Sequence, residues 1–389
     1  MAPVLTFAYP GDLDTLTGGY LYDKHIIHEL ENLGWTVKRL SLGDAFPFSD
    51  AAALAAAADQ LAIVPADSLL VIDGLALGAI GPLAKVFARR TGAAVTGCAS
   101  APISRGFVAL VHHPLGLESG LSPEQSTALL ASEAQALAHA RHVIVNSPTT
   151  AATLESLFAI GPDRVSIVVP GTERPALDTQ ASHNDGEVSC REHSASPILL
   201  SVGSIIARKG YDVLVQALAS LQTLDWELRI VGDPDRDPIV FEALTTQITR
   251  LGMSDRIRLL GALEPSALEH QYAQADLFVL ASHYEGYGMA YAQAIARGLP
   301  VIGTTGGATA QTVAPGTGIL VEPGDVESLS KAIAQLLSHP EQRQKIAQAS
   351  RKHAHELPSW IESARRFSES LIKSDTQPAA PDPAQTCSH

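Results

Sequence analysis

One feature constrains this chain above all others. Short apolar, β-branched runs alternate with longer stretches of helical spacing through most of its length. Strand-like runs fall near Val4–Tyr9, Thr36–Leu40, Ser68–Ile72, Ala94–Gly97, Phe107–His112, His142–Asn146 and Val165–Val169. A second set falls near Ile198–Gly203, Glu227–Val231, Ile257–Leu260, Leu277–Leu280, Pro300–Gly303 and Gly318–Val321. Intervening stretches such as Asp212–Leu221, Ile239–Leu251 and Val326–Leu337 show helical spacing. Strand then helix then strand predicts parallel sheets covered on both faces. Two successive sets predict an α/β protein of two doubly wound, Rossmann-like domains facing across a cleft. The size agrees, since 389 residues exceed one ordinary core and 46% of them are hydrophobic.

The expected organisation is an N-terminal domain over residues 1–171 and a linker over 172–197, where Pro, Asp, Ser, His and Glu collect without periodicity. A C-terminal domain over 198–356 follows. A helical pattern over 357–373 places Trp360, Ala364, Phe367 and Leu371 on one stripe, as a closing helix packing back across the junction. Residues 374–389 read as a disordered tail. The Ala-rich stretch Ala51–Ala66 reads as a surface helix.

A formal net charge of -14 excludes a broad electrostatic footprint for nucleic acid. Cys98, Cys190 and Cys387 are odd in number and far apart, which suits separate reduced thiols better than disulfides or a zinc cluster. The N-terminus shows no charged region followed by an apolar stretch, and no apolar run is long enough to span a bilayer, so a cytoplasmic location is expected. Lys85-Val86-Phe87-Ala88-Arg89-Arg90 offers a peripheral membrane contact, with a solvated helix end as the plainer reading.

Candidate chemistry gathers where strands end, which is where open parallel sheets bind ligands. Glu285-Gly286-Tyr287-Gly288-Met289 joins a strand to a helix. Its glycines allow close backbone approach, and its new helix offers amides and a positive dipole end to an anion. Gly18 and Gly19 open a helix after the first strand, with a plain turn as the equal alternative. His112-His113-Pro114 ends another strand. Adjacent residues there point to opposite faces, which argues against joint metal ligation and leaves His112 as a neutral imidazole able to donate or accept a hydrogen bond. Gly203-Ser204 leads to Arg208-Lys209-Gly210, where two cations between a strand end and a helix start suit a pyrophosphate. Asp233-Pro234-Asp235-Arg236-Asp237 has metal-ligand spacing, but its prolines suit an exposed loop better. No serine-hydrolase, zincin, Walker A or dinucleotide fingerprint is present.

Taken in order, these motifs resemble the family-4 retaining glycosyltransferases of the GT-B fold, over most of the chain and most strongly from Ile198 to Leu337. Gly18-Gly19, the turn at His112-His113-Pro114 and the segment Gly203 to Gly210 carry the likeness. So do Glu285 to Gln293, Gly298-Leu299-Pro300-Val301, Gly306-Gly307 and Gly318-Ile319-Leu320-Val321. Two positions depart from the family pattern: Ser204 replaces an Arg, and Gln293 replaces the second Glu of an E-x7-E signature. The resemblance implies transfer of a hexosyl group from a nucleoside diphosphate sugar (UDP or GDP) to a small-molecule, glycan or lipid acceptor, without metal or other cofactor. It implies catalytic roles for His112, Arg208, Lys209 and Glu285. Donor contacts are implied at Gly18, Gly19, Gly203, Ser204, Gly286, Tyr287, Gly288, Met289 and Gln293. The alternatives are a sugar-nucleotide epimerase or phosphorylase-like cleft enzyme, and a two-lobed small-molecule-binding protein.

Overall fold

The computed structural model describes residues 2–88, 106–174 and 196–376. These form two compact units. One comprises the chain up to Gly171 together with the chain from Trp360 onward; the other runs Thr172–Ser359.

The first unit holds a sheet of β1 (Val4–Tyr9), β2 (Thr36–Ser41), β3 (Leu69–Asp73), β4 (Val108–Val111), β5 (His142–Val145) and β6 (Val165–Ile167), ordered β2-β1-β3-β4-β5-β6. Every pairing is parallel. The second unit holds β7 (Ile198–Val202), β8 (Glu227–Val231), β9 (Ile257–Leu259), β10 (Leu277–Val279), β11 (Val301–Thr304) and β12 (Gly318–Val321), ordered β12-β11-β10-β7-β8-β9 and again parallel. Each order reverses once, between β1 and β3 in one unit and between β7 and β10 in the other. Those reversals leave a crevice beyond the carboxyl ends of the strands.

Central strands are buried on both faces, as parallel strands under helices must be, and the edge strand β2 is largely exposed. The core of the first unit joins Leu70, Ile72, Phe87, Phe107 and Val143 to Ala57, Ala58 and Leu61. The Ala-rich stretch is therefore a helix over Ala51–Ala62 with one core-facing stripe, and it stops before Pro65 rather than running to Ala66. Several strands end one or two residues earlier than their apolar runs. His112 and Gly203 consequently lie in the turns beyond β4 and β7. The expected strand Ala94–Gly97, most of the expected linker, all three cysteines and residues 377–389 lie outside the described residues.

Two boundaries differ from expectation. The last helix is Trp360–Thr376, so Ser374, Asp375 and Thr376 continue a helix instead of beginning a disordered tail. Arg141 helps hold this end by donating to the Asp375 carbonyl at 2.8 Å. The helix starts at Trp360 because Pro358 disfavours helical backbone before it. Trp360, Ala364, Phe367 and Leu371 are all buried. The helix packs against helix Gly18–Asn32, with Trp360 stacked on His25 at 4.3 Å and Ser368 accepting from the Trp35 indole at 3.0 Å. At the other boundary, Thr172 and Arg174 are tied to the second unit. The Thr172 amide donates to the Pro358 carbonyl, and Arg174 donates to the carbonyls of His355 and Leu357.

Candidate active site

In the second unit, the turns after β7 and β10 meet at the reversal of strand order. The first turn closes with a 3-10 helix over Ala207–Lys209 and Gly210 in left-handed backbone at φ 63°. A Cβ on Gly210 would stand 2.1 Å from the Ala281 carbonyl oxygen, so only glycine permits this approach. The Arg208 carbonyl accepts from the His283 amide at 2.8 Å. The loop carrying Arg208 and Lys209 is thereby stitched to the loop carrying Glu285. Glu285 is fixed in turn by a parallel bridge to Gly307. A Cβ on Gly307 would lie 2.2 Å from the Glu285 carbonyl oxygen, which explains the glycine pair Gly306-Gly307.

Glu285 is 6% exposed. Its Oε1 accepts from Lys209 Nζ at 2.7 Å and from Ser282 Oγ at 2.6 Å. Arg208 lies 3.7 Å from Oε2 and donates to the Tyr284 carbonyl at 2.8 Å. Burial pushes the Glu285 carboxyl up, but the charges of Lys209 and Arg208, with the hydrogen bonds from Lys209 and Ser282, outweigh it and hold the group below its ordinary value. Two cations thus enclose one carboxylate, leaving a net positive charge. Ser282 was not foreseen: a lone Ser at a strand end carries no spacing signal, and only the fold brings it to Glu285. Tyr211 was also missed. Its phenol donates to the Gly203 carbonyl at 2.7 Å and braces that turn.

The other expected donor contacts divide. Ser204 is half-buried in the turn after Gly203, and Gly286 is half-buried beside Glu285. Gly288, at φ 93°, caps helix Met289–Ala296 and leaves Met289 at its first position. The Tyr287 ring points inward and is 8% exposed, so this residue offers backbone rather than a ring. The Gln293 side-chain oxygen accepts from Arg297, which also binds Glu269 and stands over the Tyr272 ring. The Asp233 and Asp237 carboxylates are used locally, on the Asp235 amide and as a cap on Val240 of the next helix, as suits the loop reading.

In the first unit, Thr17 caps helix Gly18–Asn32 by accepting from the Tyr20 amide. Gly18 and Gly19 form the first turn. A Cβ on Gly19 would touch His112 Cδ2 at 3.4 Å, so the glycine pair and His112 adjoin. His112 Nε2 lies 3.0 Å from Asp23 Oδ1 and 3.6 Å from Asp73 Oδ2. Asp23 is fully buried, and Asp73 is 3% exposed at the end of β3. Burial pushes the Asp73 carboxyl up, Asp23's charge pushes it further, and His112 with the Leu75 and Ala76 amides pulls it back, leaving it at about 7. Burial pushes His112 down, but the two carboxylates outweigh it and raise the imidazole above its ordinary value. His112 therefore holds its ring proton more readily than an imidazole in water. Asp23 and Asp73 carried no motif. Asp73 merely followed the apolar run Ser68–Ile72, and Asp23 lay within a helical stretch.

Asp23, Asp73 and His112 are also the one group of three metal-capable side chains among the described residues, with ligand atoms within 4.8 Å of one another. Among the described residues, no helix is long and apolar enough to cross a membrane.

Comparison with known proteins gives this geometry a context. Sucrose-phosphate synthase from Thermosynechococcus elongatus superposes over 95% of this chain and 98% of its own, with a TM-score of 0.73 at 22% identity. Anabaena HepE, solved with UDP-glucose, covers 95% and 100% with a TM-score of 0.69 at 18% identity. The fold is that of the GT-B glycosyltransferases. Residues 190–353 match the family described as glycosyl transferases group 1. A D-inositol 3-phosphate glycosyltransferase of Thermomonospora curvata is 29% identical over 266 residues, 65% of this chain and 61% of the relative. D-inositol 3-phosphate glycosyltransferase 2 of Catenulispora acidiphila is 31% identical over 267 residues, 64% and 61%. The chain thus spans about three fifths of the length of these curated relatives.

Proposed function

We propose that this protein is a retaining glycosyltransferase that moves a hexosyl group from a nucleoside diphosphate sugar to an acceptor hydroxyl. The observation that carries the reading is the Arg208–Lys209–Glu285 cluster at the strand-order reversal within the group 1 match. A diphosphate leaving group gains negative charge as the glycosidic bond breaks. Two fixed cations, already oriented by a buried carboxylate, stabilise that charge without reorganising. Glu285 has one oxygen engaged by Lys209 and Ser282, and its other oxygen accepts from hydroxyls of the donor sugar. The acceptor attacks on the face the diphosphate leaves, and a phosphate oxygen takes its proton, so no protein nucleophile is needed. The turns at Gly203-Ser204 and Gly286 to Met289 supply backbone amides to the donor, and Gln293 addresses the ribose. His112, beside Gly18 and Gly19 in the first unit, acts as a hydrogen-bond donor to a substrate oxygen.

The acceptor belongs to the first unit in this reading. The relatives' names suggest what to offer first: an inositol phosphate, and a phosphatidylinositol mannoside glycolipid after the mannosyltransferase of Corynebacterium glutamicum, which is 31% identical over 185 residues. The test is release of UDP or GDP from a panel of nucleotide sugars, followed by an acceptor panel and determination of product anomeric configuration. Transfer with retention is expected. Binding without turnover of any nucleotide sugar would overturn the assignment.

A further inference from the structure

Asp23 has no role in the reading above, yet its placement is costly. It lies on the buried face of helix Gly18–Asn32 with Tyr22, Ile26, Ile27 and Leu30, where an apolar residue would pack without desolvating a charge. Its Oδ1 meets His112 Nε2, while its Oδ2 is buried with no hydrogen-bond partner among the described residues. The ring it meets is confined on other sides. Tyr22 presents an edge at 5.1 Å and is anchored by its own phenol, which donates to the Val168 carbonyl at 2.9 Å. Gly19 leaves room for no more than a methyl group against Cδ2. Asp73, on the end of β3, stands 3.6 Å from the same nitrogen. The titratable groups facing His112 are thus Asp23 and Tyr22 from the helix and Asp73 from the sheet.

This arrangement commits Nε2 and leaves Nδ1 as the only other hydrogen-bonding atom of the ring. Nδ1 has no partner among the described residues, and the side chain is 19% exposed. We propose that Asp23 is a positioning residue: its buried carboxylate, seconded by Asp73, grips His112 at Nε2, holds the ring as an imidazolium and turns Nδ1–H outward as the donor presented to substrate. An imidazole without such a grip would sample both tautomers and several orientations. The inference rests on the glycosyltransferase reading for what Nδ1–H contacts, but not for the grip itself.

The experiment separates the two. In the full-length protein with labelled histidine, nitrogen chemical shifts report the tautomer and titration of His112, assigned by comparison with His112→Gln. The expected result is a proton retained on Nε2 and a midpoint above 6.5, the ordinary histidine value. In Asp23→Asn, which keeps shape and an acceptor oxygen, the midpoint should fall. Turnover should drop about 10–100-fold, as when the hydrogen-bond partner that orients a metal-bound histidine is lost, while donor KM stays within about twofold. Asp23→Ala should lose more than Asp23→Asn. A wild-type His112 titrating below 6.5, or an Asp23→Asn protein with an unchanged midpoint, would overturn the grip. So would saturable binding of Zn²⁺ or Mn²⁺ that displaces the His112 proton, which would make the cluster a metal site. If no nucleotide sugar turns over while the titration behaves as stated, the functional reading fails and the grip stands.

Discussion

The two units solve a similar problem with opposite charges. In the second, one carboxylate lies between two cations; in the first, one imidazole lies between two carboxylates. Both clusters are buried, and burial disfavours charge in each. The outcomes differ because Arg and Lys titrate far above neutrality and Asp and His do not. Glu285 is held below its ordinary value and stays ionised across working pH. Asp73 is pushed to about 7, so the first cluster can change charge where the second cannot. A permanent charge suits a diphosphate, and a titrating group suits hydroxyl chemistry.

The largest expected effect tests the second cluster. Lys209→Ala should lower turnover by about 10²–10³-fold, the cost of losing one donor aimed at developing charge. Folding checked by circular dichroism should be retained, and turnover near wild type would break the comparison on that side. Glu285→Gln comes next. It keeps hydrogen bonding but removes the charge that fixes Lys209, and donor kcat/KM should fall by about tenfold to a hundredfold. A loss confined to acceptor KM would move Glu285 away from the donor.

The third test concerns backbone. Gly210→Ala places a methyl group on the Ala281 carbonyl in left-handed backbone and should cost about 3 kcal/mol of stability in denaturant unfolding. Gly18→Ala meets nothing within 4 Å and should leave stability unchanged. Equal costs at the two would mean that the glycines serve one purpose in both units.

Glu133 sharpens the electrostatic half. It is buried like Glu285, but its only hydrogen bond among the described residues is from the Leu115 amide at 3.0 Å, and burial pushes it to about 8. A raised carboxyl pKa favours the protonated folded state. Its contribution is complete below 4.5, declines as pH rises from there, and is gone above about 8. Glu133→Gln should therefore be more stable than wild type at pH 8.5, by on the order of 1–3 kcal/mol, with the gap closing towards pH 5. A gap that stays constant with pH would mean burial alone does not set this pKa. The smallest effect expected is none: a chelator should leave turnover unchanged, and loss restored by a divalent cation would give the first cluster a metal role.

Much of this was legible along the chain. Alternating apolar runs and helical spacing located eleven of the twelve strands of the two sheets to within a residue or so of each end, with β6 two residues shorter than its run. Arg208, Lys209 and Glu285 stood out because glycines flank them at strand ends, and such turns have a local signature. The grouping of His112 with Gly19 was not legible, since they are far apart in sequence and meet only through adjoining elements of one sheet layer. Ser282, Tyr211, Asp23 and Asp73 left no trace in spacing at all. The sequence by itself determined which segments become strands and helices, because burial periodicity is a local property of residue order. Tertiary structure alone decided which charges share a buried space, and so which stay fixed and which titrate, because a pKa depends on neighbours in space that sequence distance does not report.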